Sequence, residues 1–205
     1  MGLGEFNGGG TVNKFIVIEG LDATGKSTLV EKLSSKLNAT KLSCPPKIMI
    51  PSITEGSART HFDSLSALQR RAYYRFSNLV ASEEVEHHIA NSHVVMDRYW
   101  TSTAAFSAMD DGFEHDVELG QYPSEIRIPD LVILLTVDEE NRLIRLRGRG
   151  EAETSEESEL ARSKSKREKV LQCYKEFNPV IIDTSNKSPE EVCQEALQII
   201  EEAFQ

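Results

Sequence analysis

The sequence predicts an α/β protein, a parallel sheet covered by helices on both faces, and three observations carry that prediction. Beyond residue 13, short β-branched runs alternate with longer stretches of helical period. One run, LVILL from Leu131, is apolar without alternation, which is the pattern of a strand buried on both faces. A glycine-rich turn then joins the first run directly to a helical stretch. Strands are expected at Lys14 to Glu19, Thr40 to Ser43, His93 to Asp97, Leu131 to Val137 and Val180 to Asp183.

The helices follow from periodicity and end signals. Lys26 to Leu37 places Leu29, Val30, Leu33 and Leu37 on one face, and Leu65 to Ala90 carries Leu65, Leu68, Ala72, Leu79 and Ile89 roughly in period. The last helix has the clearest start: Ser188 as N-cap, Pro189 at the first helical position and Glu191 completing a capping box. Between these elements, Arg142 to Lys169 holds nine Lys or Arg and six Glu, more than a third of the chain's 23 basic residues. Two readings fit that run: a solvated, charged helix pair, or a mobile lid that brings arginines to phosphates.

Composition narrows the class. A chain of 205 residues, 39% hydrophobic, is long enough for a substantial core and short enough for one domain. That domain is expected over residues 14–205; residues 1–13, with MGLGEFNGGG at their head, read as a flexible tag or linker. The net charge of -10 argues against a nucleic-acid partner, although a small anion needs only local positive charge. Cys44, Cys173 and Cys193 lie far apart without C-x-x-C spacing, so neither a disulfide framework nor a zinc site is indicated, and a reducing compartment fits. No apolar stretch approaches the ~20 residues of a membrane span, so no membrane partner is expected.

Gly20-Leu21-Asp22-Ala23-Thr24-Gly25-Lys26-Ser27 matches G-x-x-x-x-G-K-[ST], the phosphate-binding loop. It follows a buried strand and opens the amphipathic helix from Lys26 through Ser27 and Thr28, the arrangement in which backbone N–H groups and a helix N-terminus face an anion. Lys26 is expected to reach the β- and γ-phosphates of ATP and Ser27 to hold Mg²⁺. No N-K-x-D guanine reader follows Asn186-Lys187, and no L-S-G-G-Q signature is present, so a switch GTPase and an ABC-type ATPase are set aside. Asp97 ends a strand at the loop's edge, where it can bind Mg²⁺ through water, and Arg98 beside it suits a second phosphoryl group.

GLDATGKS, DRYWTSTAAF, PDLVILLTV and RLRGRG, in this order and spacing, resemble the thymidylate kinase family of nucleoside monophosphate kinases. Within it the text is most similar to the mitochondrial UMP-CMP kinase branch, through RRAYY, VASE, DRYWTSTA and RLRGRG. The resemblance implies a P-loop NTPase fold with a five-stranded parallel sheet and an arginine-containing lid at about residues 147–162. It also implies a homodimer, a mitochondrial location (cytoplasmic otherwise), and transfer of the ATP γ-phosphoryl to a pyrimidine monophosphate.

The resemblance also assigns residues. The loop Gly20 to Thr28 would hold the donor phosphates, Asp22 the acceptor's 3′-hydroxyl, and Arg98 the acceptor phosphate, with Asp97 on the metal side. Some thymidylate kinases carry a catalytic arginine directly after the loop aspartate; here that position is Ala23, and Arg149 in the lid is expected to supply the charge. Arg147 would stack on adenine, and Asp183-Thr184-Ser185 would line its other face. Lys47 and Arg59 are further phosphate candidates in a stretch the resemblance does not align.

Acceptor recognition departs from the family pattern. Arg71, Tyr74, Arg75 and Asn78 share one helical face. Tyr74 keeps the family's stacking aromatic, while Asn78 stands where thymidylate kinases offer an arginine to the pyrimidine O4. An arginine only donates, whereas an asparagine amide donates and accepts, which tilts the acceptor from dTMP toward UMP, CMP, dUMP and dCMP. Ser102 and Phe106 would lie near base and sugar, and Phe106 crowds a 2′-hydroxyl, favouring deoxy acceptors. A strict thymidylate kinase, a deoxynucleoside kinase and a nucleotide-binding module without phosphotransfer are the competing expectations.

Overall fold

The computed structural model describes residues 12–49, 65–109, 117–148 and 155–205. Five strands form one parallel sheet: β1 (Phe15–Gly20), β2 (Thr40–Ser43), β3 (Val94–Asp97), β4 (Leu131–Thr136) and β5 (Val180–Asp183), ordered β2-β3-β1-β4-β5. Each lies within one residue of its expected bounds. β1 is central, pairing Ile18 with Asp97 on one side and Ile133 on the other. Its residues divide by the strand's two-residue period: Phe15 and Val17 enter one core, Ile16 and Ile18 the other.

Helices cover both faces. α1 (Lys26–Leu37) and α7 (Pro189–Ala203) pack on the Ile16/Ile18 side, and the capping box at Ser188 and Glu191 is present. α2 (Ala67–Ile89), α3 (Trp100–Ser107) and α6 (Lys164–Lys175) cover the other. The basic segment resolves into α4 (Glu139–Gly148), α5 (Ser155–Arg162) and α6. Arg142, itself buried, pairs with Glu139 at 2.7 Å, and Glu139 also meets Arg167 at 3.2 Å, which ties α4 to α6. Part of the charge run is thus internal rather than solvated.

The expected helix is present, but its apolar period does not mark the buried face, although Ile89 packs against the core. Leu68 and Leu79 are exposed at 61% and 40%, as is Ala72, while Arg71, Ser77, Asn78, Ser82 and Val85 are buried. The buried face is mixed: Ala81 and Val85 join the core, while Ser77 donates to the Tyr73 carbonyl and Asn78 to Thr103. Hydrophobic period alone assigns a helix but not which face a binding site claims.

Gly20 is fixed by space. A Cβ there would lie 2.5 Å from the Leu135 carbonyl oxygen of β4, and its φ is +145°. Gly20→Ala is expected to destabilise the fold by about 1–3 kcal/mol from the overlap alone, read as a lower urea midpoint.

Candidate active site

The C-terminal ends of β1 and β3 place two functional turns side by side, the usual ligand edge of an open parallel sheet. From β1 the loop Gly20 to Gly25 leads into α1, whose N-cap Gly25 has φ +98° and supplies no side-chain cap. The first-turn N–H groups of α1 are therefore left to an external acceptor, which suits an anion. Ala23 holds φ +66°, and Thr24 braces the turn by donating to the Leu21 carbonyl at 2.9 Å. Thr28 sits exposed in the first turn of α1.

Lys26 is buried, and its Nζ donates to the Leu21 carbonyl at 2.8 Å and lies 4.0 Å from Asp22 Oδ1. Burial, with Arg98 adding to it, lowers its pKa to about 8, against the pull of Asp22, Asp97 and Glu19. Arg98 has φ +64°, and its Nη2 donates to the same Asp22 oxygen at 2.8 Å. Burial opposes its charge, but Asp22, Tyr174, Glu19 and Asp97 together hold its pKa well above the ordinary value. One carboxylate oxygen thus stands between the lysine of the glycine loop and the arginine of the β3–α3 turn.

Ser27 Oγ donates to Asp97 Oδ2 at 2.7 Å. A hydroxyl and a carboxylate side by side at this edge are hard oxygen donors of the kind Mg²⁺ accepts, with waters completing its shell. The two residues therefore fit a magnesium ion.

A cavity lies beyond the loop, lined by Thr24, Gly25, Thr28, Arg145, Thr184, Lys187 and Pro189. Arg145 Nη2 donates to the Thr184 carbonyl at 2.7 Å and Nη1 to its hydroxyl at 3.0 Å. Thr184 Oγ1 in turn lies 3.1 Å from the Thr24 carbonyl. Arg145 was not singled out in the sequence; Arg147 is exposed on the same helix and does not line this cavity. Asp183 turns into its own loop, accepting from Ser185 Oγ at 2.6 Å, and this hydrogen bond lowers its pKa. Of the Asp183-Thr184-Ser185 loop, only Thr184 lines the cavity.

The acceptor-side residues sit deeper than expected. Asn78 is completely buried; its Nδ2 donates to the Tyr74 carbonyl at 2.6 Å and to Thr103 Oγ1 at 2.7 Å. Its donors are spent, and only Oδ1 lacks a partner among the described residues. The amide expected to donate and accept toward a ligand has its donors turned to protein in this structure. Ser102, expected near base and sugar, is buried beneath Arg98, which donates to its Oγ at 3.0 Å. Phe106 is half-buried, its ring centroid 6.0 Å from the Arg98 guanidinium carbon. Tyr74 is half-buried and Arg71 buried on the inward face, whereas Arg75 is exposed. Arg149 and Arg59 lie outside the described residues, and Lys47 is exposed in a short 3₁₀ turn.

Glu19 was missed. It is wholly buried at the end of β1, accepts from Tyr99 N at 2.9 Å and Ser102 N at 3.2 Å, and takes the Ser102 hydroxyl at 2.5 Å. Burial raises its pKa to about 7, against the opposing effects of Ser102, Arg98 and Tyr99. The signal was an acid inside an apolar strand, FIVIEG, which requires partners wherever it is buried.

A strand, a glycine loop and an uncapped helix start, beside a second turn bearing a carboxylate and an arginine, define a P-loop phosphotransferase site. The thymidylate kinase family model matches residues 18–196. A human mitochondrial UMP-CMP kinase 2 is 37% identical over 92% of this chain, which corresponds to 43% of that longer protein. A probable thymidylate kinase of Methanococcus vannielii is 34% identical over 90% of this chain and 93% of its own length. Among solved structures, Candida albicans thymidylate kinase shares the fold with a TM-score of 0.70 at 23% identity, covering 94% of each chain. The chain belongs to the thymidylate kinase family of nucleoside monophosphate kinases.

Proposed function

We propose that the protein transfers the γ-phosphoryl group of ATP to a pyrimidine nucleoside monophosphate. The observation that carries this reading is Asp22 Oδ1, which lies 4.0 Å from Lys26 Nζ and 2.8 Å from Arg98 Nη2. Two cations on one oxygen bring two phosphate sites into contact, which phosphoryl transfer between nucleotides requires and a one-phosphate hydrolase does not. Lys26 and the first turn of α1 hold the donor phosphates, Arg98 holds the acceptor phosphate, and Asp22 is the shared counter-charge of the two cations. Ser27 and Asp97 would hold the magnesium ion, which supplies neutralisation of phosphate charge when bound.

The donor base belongs to the Thr24–Thr184 cavity, and Arg145 covers it. Arg145→Ala is expected to raise the ATP KM about tenfold, in line with ~1–2 kcal/mol for a cation stacked on an aromatic ring, while Arg147→Ala stays near wild type. Steady-state kinetics with ATP varied at saturating monophosphate measures the difference.

For the acceptor, likeness to the human UMP-CMP kinase supports UMP, CMP, dUMP or dCMP, and the loss of an arginine at Asn78 supports it further. Asn78 Oδ1, without a partner among the described residues, matches a base edge that donates, the cytosine N4 amino group or the N3–H that uracil and thymine share, so it favours admission of cytosine without separating uracil from thymine. The test is kcat/KM across CMP, dCMP, UMP, dUMP, dTMP and AMP. Preference for uracil or cytosine monophosphates over dTMP supports the reading; a dTMP optimum makes the protein a strict thymidylate kinase. The same likeness supports a mitochondrial site of action. The outward stripe Leu68, Phe76 and Leu79 on α2, exposed at 61%, 57% and 40%, supports a homodimer formed across that face.

A further inference from the structure

We propose that Glu19 is the positioning residue for Arg98, holding the guanidinium toward the acceptor phosphate through a one-way hydrogen-bond chain that runs over Tyr174 and Ser102. The inference rests on the kinase reading given above, because it takes Arg98 as the acceptor's phosphate ligand.

The direction of the chain follows from its donors. Ser102 Oγ has one hydrogen, and it goes to Glu19 Oε2 at 2.5 Å. The contact between Ser102 Oγ and Tyr174 OH, 2.8 Å, must therefore be donated by the tyrosine. Arg98 Nη1 donates to both hydroxyl oxygens, at 3.0 Å to Ser102 and 3.3 Å to Tyr174. Every hydrogen bond points toward the carboxylate, and Ser102 Oγ has both acceptor sites filled. A neutral group at position 19 that donates toward Ser102 leaves that oxygen room for only one more donor, so either the Arg98 contact is released or the Ser102–Tyr174 bond reverses and strands the tyrosine hydrogen.

Glu19 also completes the helix that carries the turn. Tyr99, the N-cap of α3, provides no side-chain cap, and Glu19 Oε1 accepts from Tyr99 N and Ser102 N in its place. A glutamine keeps a carbonyl oxygen for those two N–H groups but turns its amide toward Ser102. Glu19→Gln therefore separates capping, which it retains, from the chain to Arg98, which it reverses.

The charged and titratable groups around Glu19 are Arg98 from the β3–α3 turn, Lys26 of α1, Tyr174 of α6, Cys44 after β2, and Tyr122. Burial pushes Cys44, Tyr122 and Tyr174 upward, so they stay neutral through the range in which Glu19 changes charge. The free-enzyme pKa of Glu19 is about 7. As pH falls through that value, the carboxyl gains a proton and becomes a donor, and the acceptor's KM is expected to rise.

The experiment is steady-state kinetics of wild type, Glu19→Gln and Ser102→Ala, with dCMP or UMP varied at saturating ATP and then the reverse, across pH 6 to 8, with thermal melts. The expected result is an acceptor KM raised about tenfold or more in Glu19→Gln, an ATP KM within about twofold and a melting temperature near wild type. The acceptor phosphate, with its own second pKa near ~6, affects both enzymes alike, so the low-pH rise in KM should be larger in wild type than in Glu19→Gln. Ser102→Ala interrupts the chain but leaves Glu19 in place, and should also raise the acceptor KM selectively, which keeps the test decisive if Glu19→Gln fails to fold. An unchanged acceptor KM in both variants overturns the proposal, as do parallel losses in both KM values and in melting temperature, which mark a purely structural role. Absence of turnover with every monophosphate removes the kinase reading and this inference with it; turnover with an unaltered acceptor KM removes this inference alone.

Discussion

Lys26→Ala is expected to lower kcat/KM by about 10²–10³-fold or more, the range found when a preorganised group at developing transition-state charge is removed. The ammonium is built into the site: it is buried, donates to the Leu21 carbonyl at 2.8 Å, and stands at the start of α1. When phosphate arrives, Nζ exchanges that carbonyl for phosphate oxygens without a large motion of the chain. The fold should persist, because α1 keeps Leu29, Val30 and Leu33 in the core. Circular dichroism and a thermal melt alongside the kinetics separate loss of chemistry from loss of structure. Near-normal turnover in a folded Lys26→Ala protein would remove the phosphate-loop assignment.

Arg98→Ala is expected to cost about 10²-fold or more in kcat/KM for the monophosphate, while the ATP KM changes little. Truncating one member of a hydrogen-bonded charge pair typically costs ~2–5 kcal/mol in binding, and here the loss also leaves Asp22 without its 2.8 Å partner. The backbone adds a second, separable effect. Arg98 holds φ +64°, a region that disfavours any side chain by ~1–2 kcal/mol, so Arg98→Gly should be as inactive as Arg98→Ala but more stable. Chemical denaturation of the two variants measures the difference. Equal acceptor kinetics in wild type and Arg98→Ala would show that the arginine serves the fold and not the substrate.

Much of the architecture is legible in the sequence because burial on both faces leaves an unmistakable trace. The strands FIVIEG and LVILLT carry no solvent-facing alternation. The glycine loop is legible for the same reason, since Gly20 is enforced by the Leu135 carbonyl and Gly25 by its backbone angle. What the text conceals is which face of a helix a site claims. On α2, Leu68 and Leu79 look like core and are exposed, while Arg71 and Asn78 look like surface and are buried. Spacing likewise distinguishes Arg145 from Arg147 only weakly, because both lie near the end of α4, and the contact with Thr184 that selects Arg145 spans 39 positions of chain. Glu19 is the clearest omission, an acid whose meaning depends on α3 and α6 folding over it.

The most direct measurement of the central claim is the fate of the γ-phosphoryl group. Enzyme is mixed with γ-³²P-labelled ATP, magnesium and either dCMP or UMP, and the products are separated and counted. The account predicts label in the pyrimidine diphosphate, dependence on the monophosphate, and loss of that product in both Lys26→Ala and Arg98→Ala. Label released as inorganic phosphate at a rate indifferent to the monophosphate, or retained wholly in ATP, would contradict it.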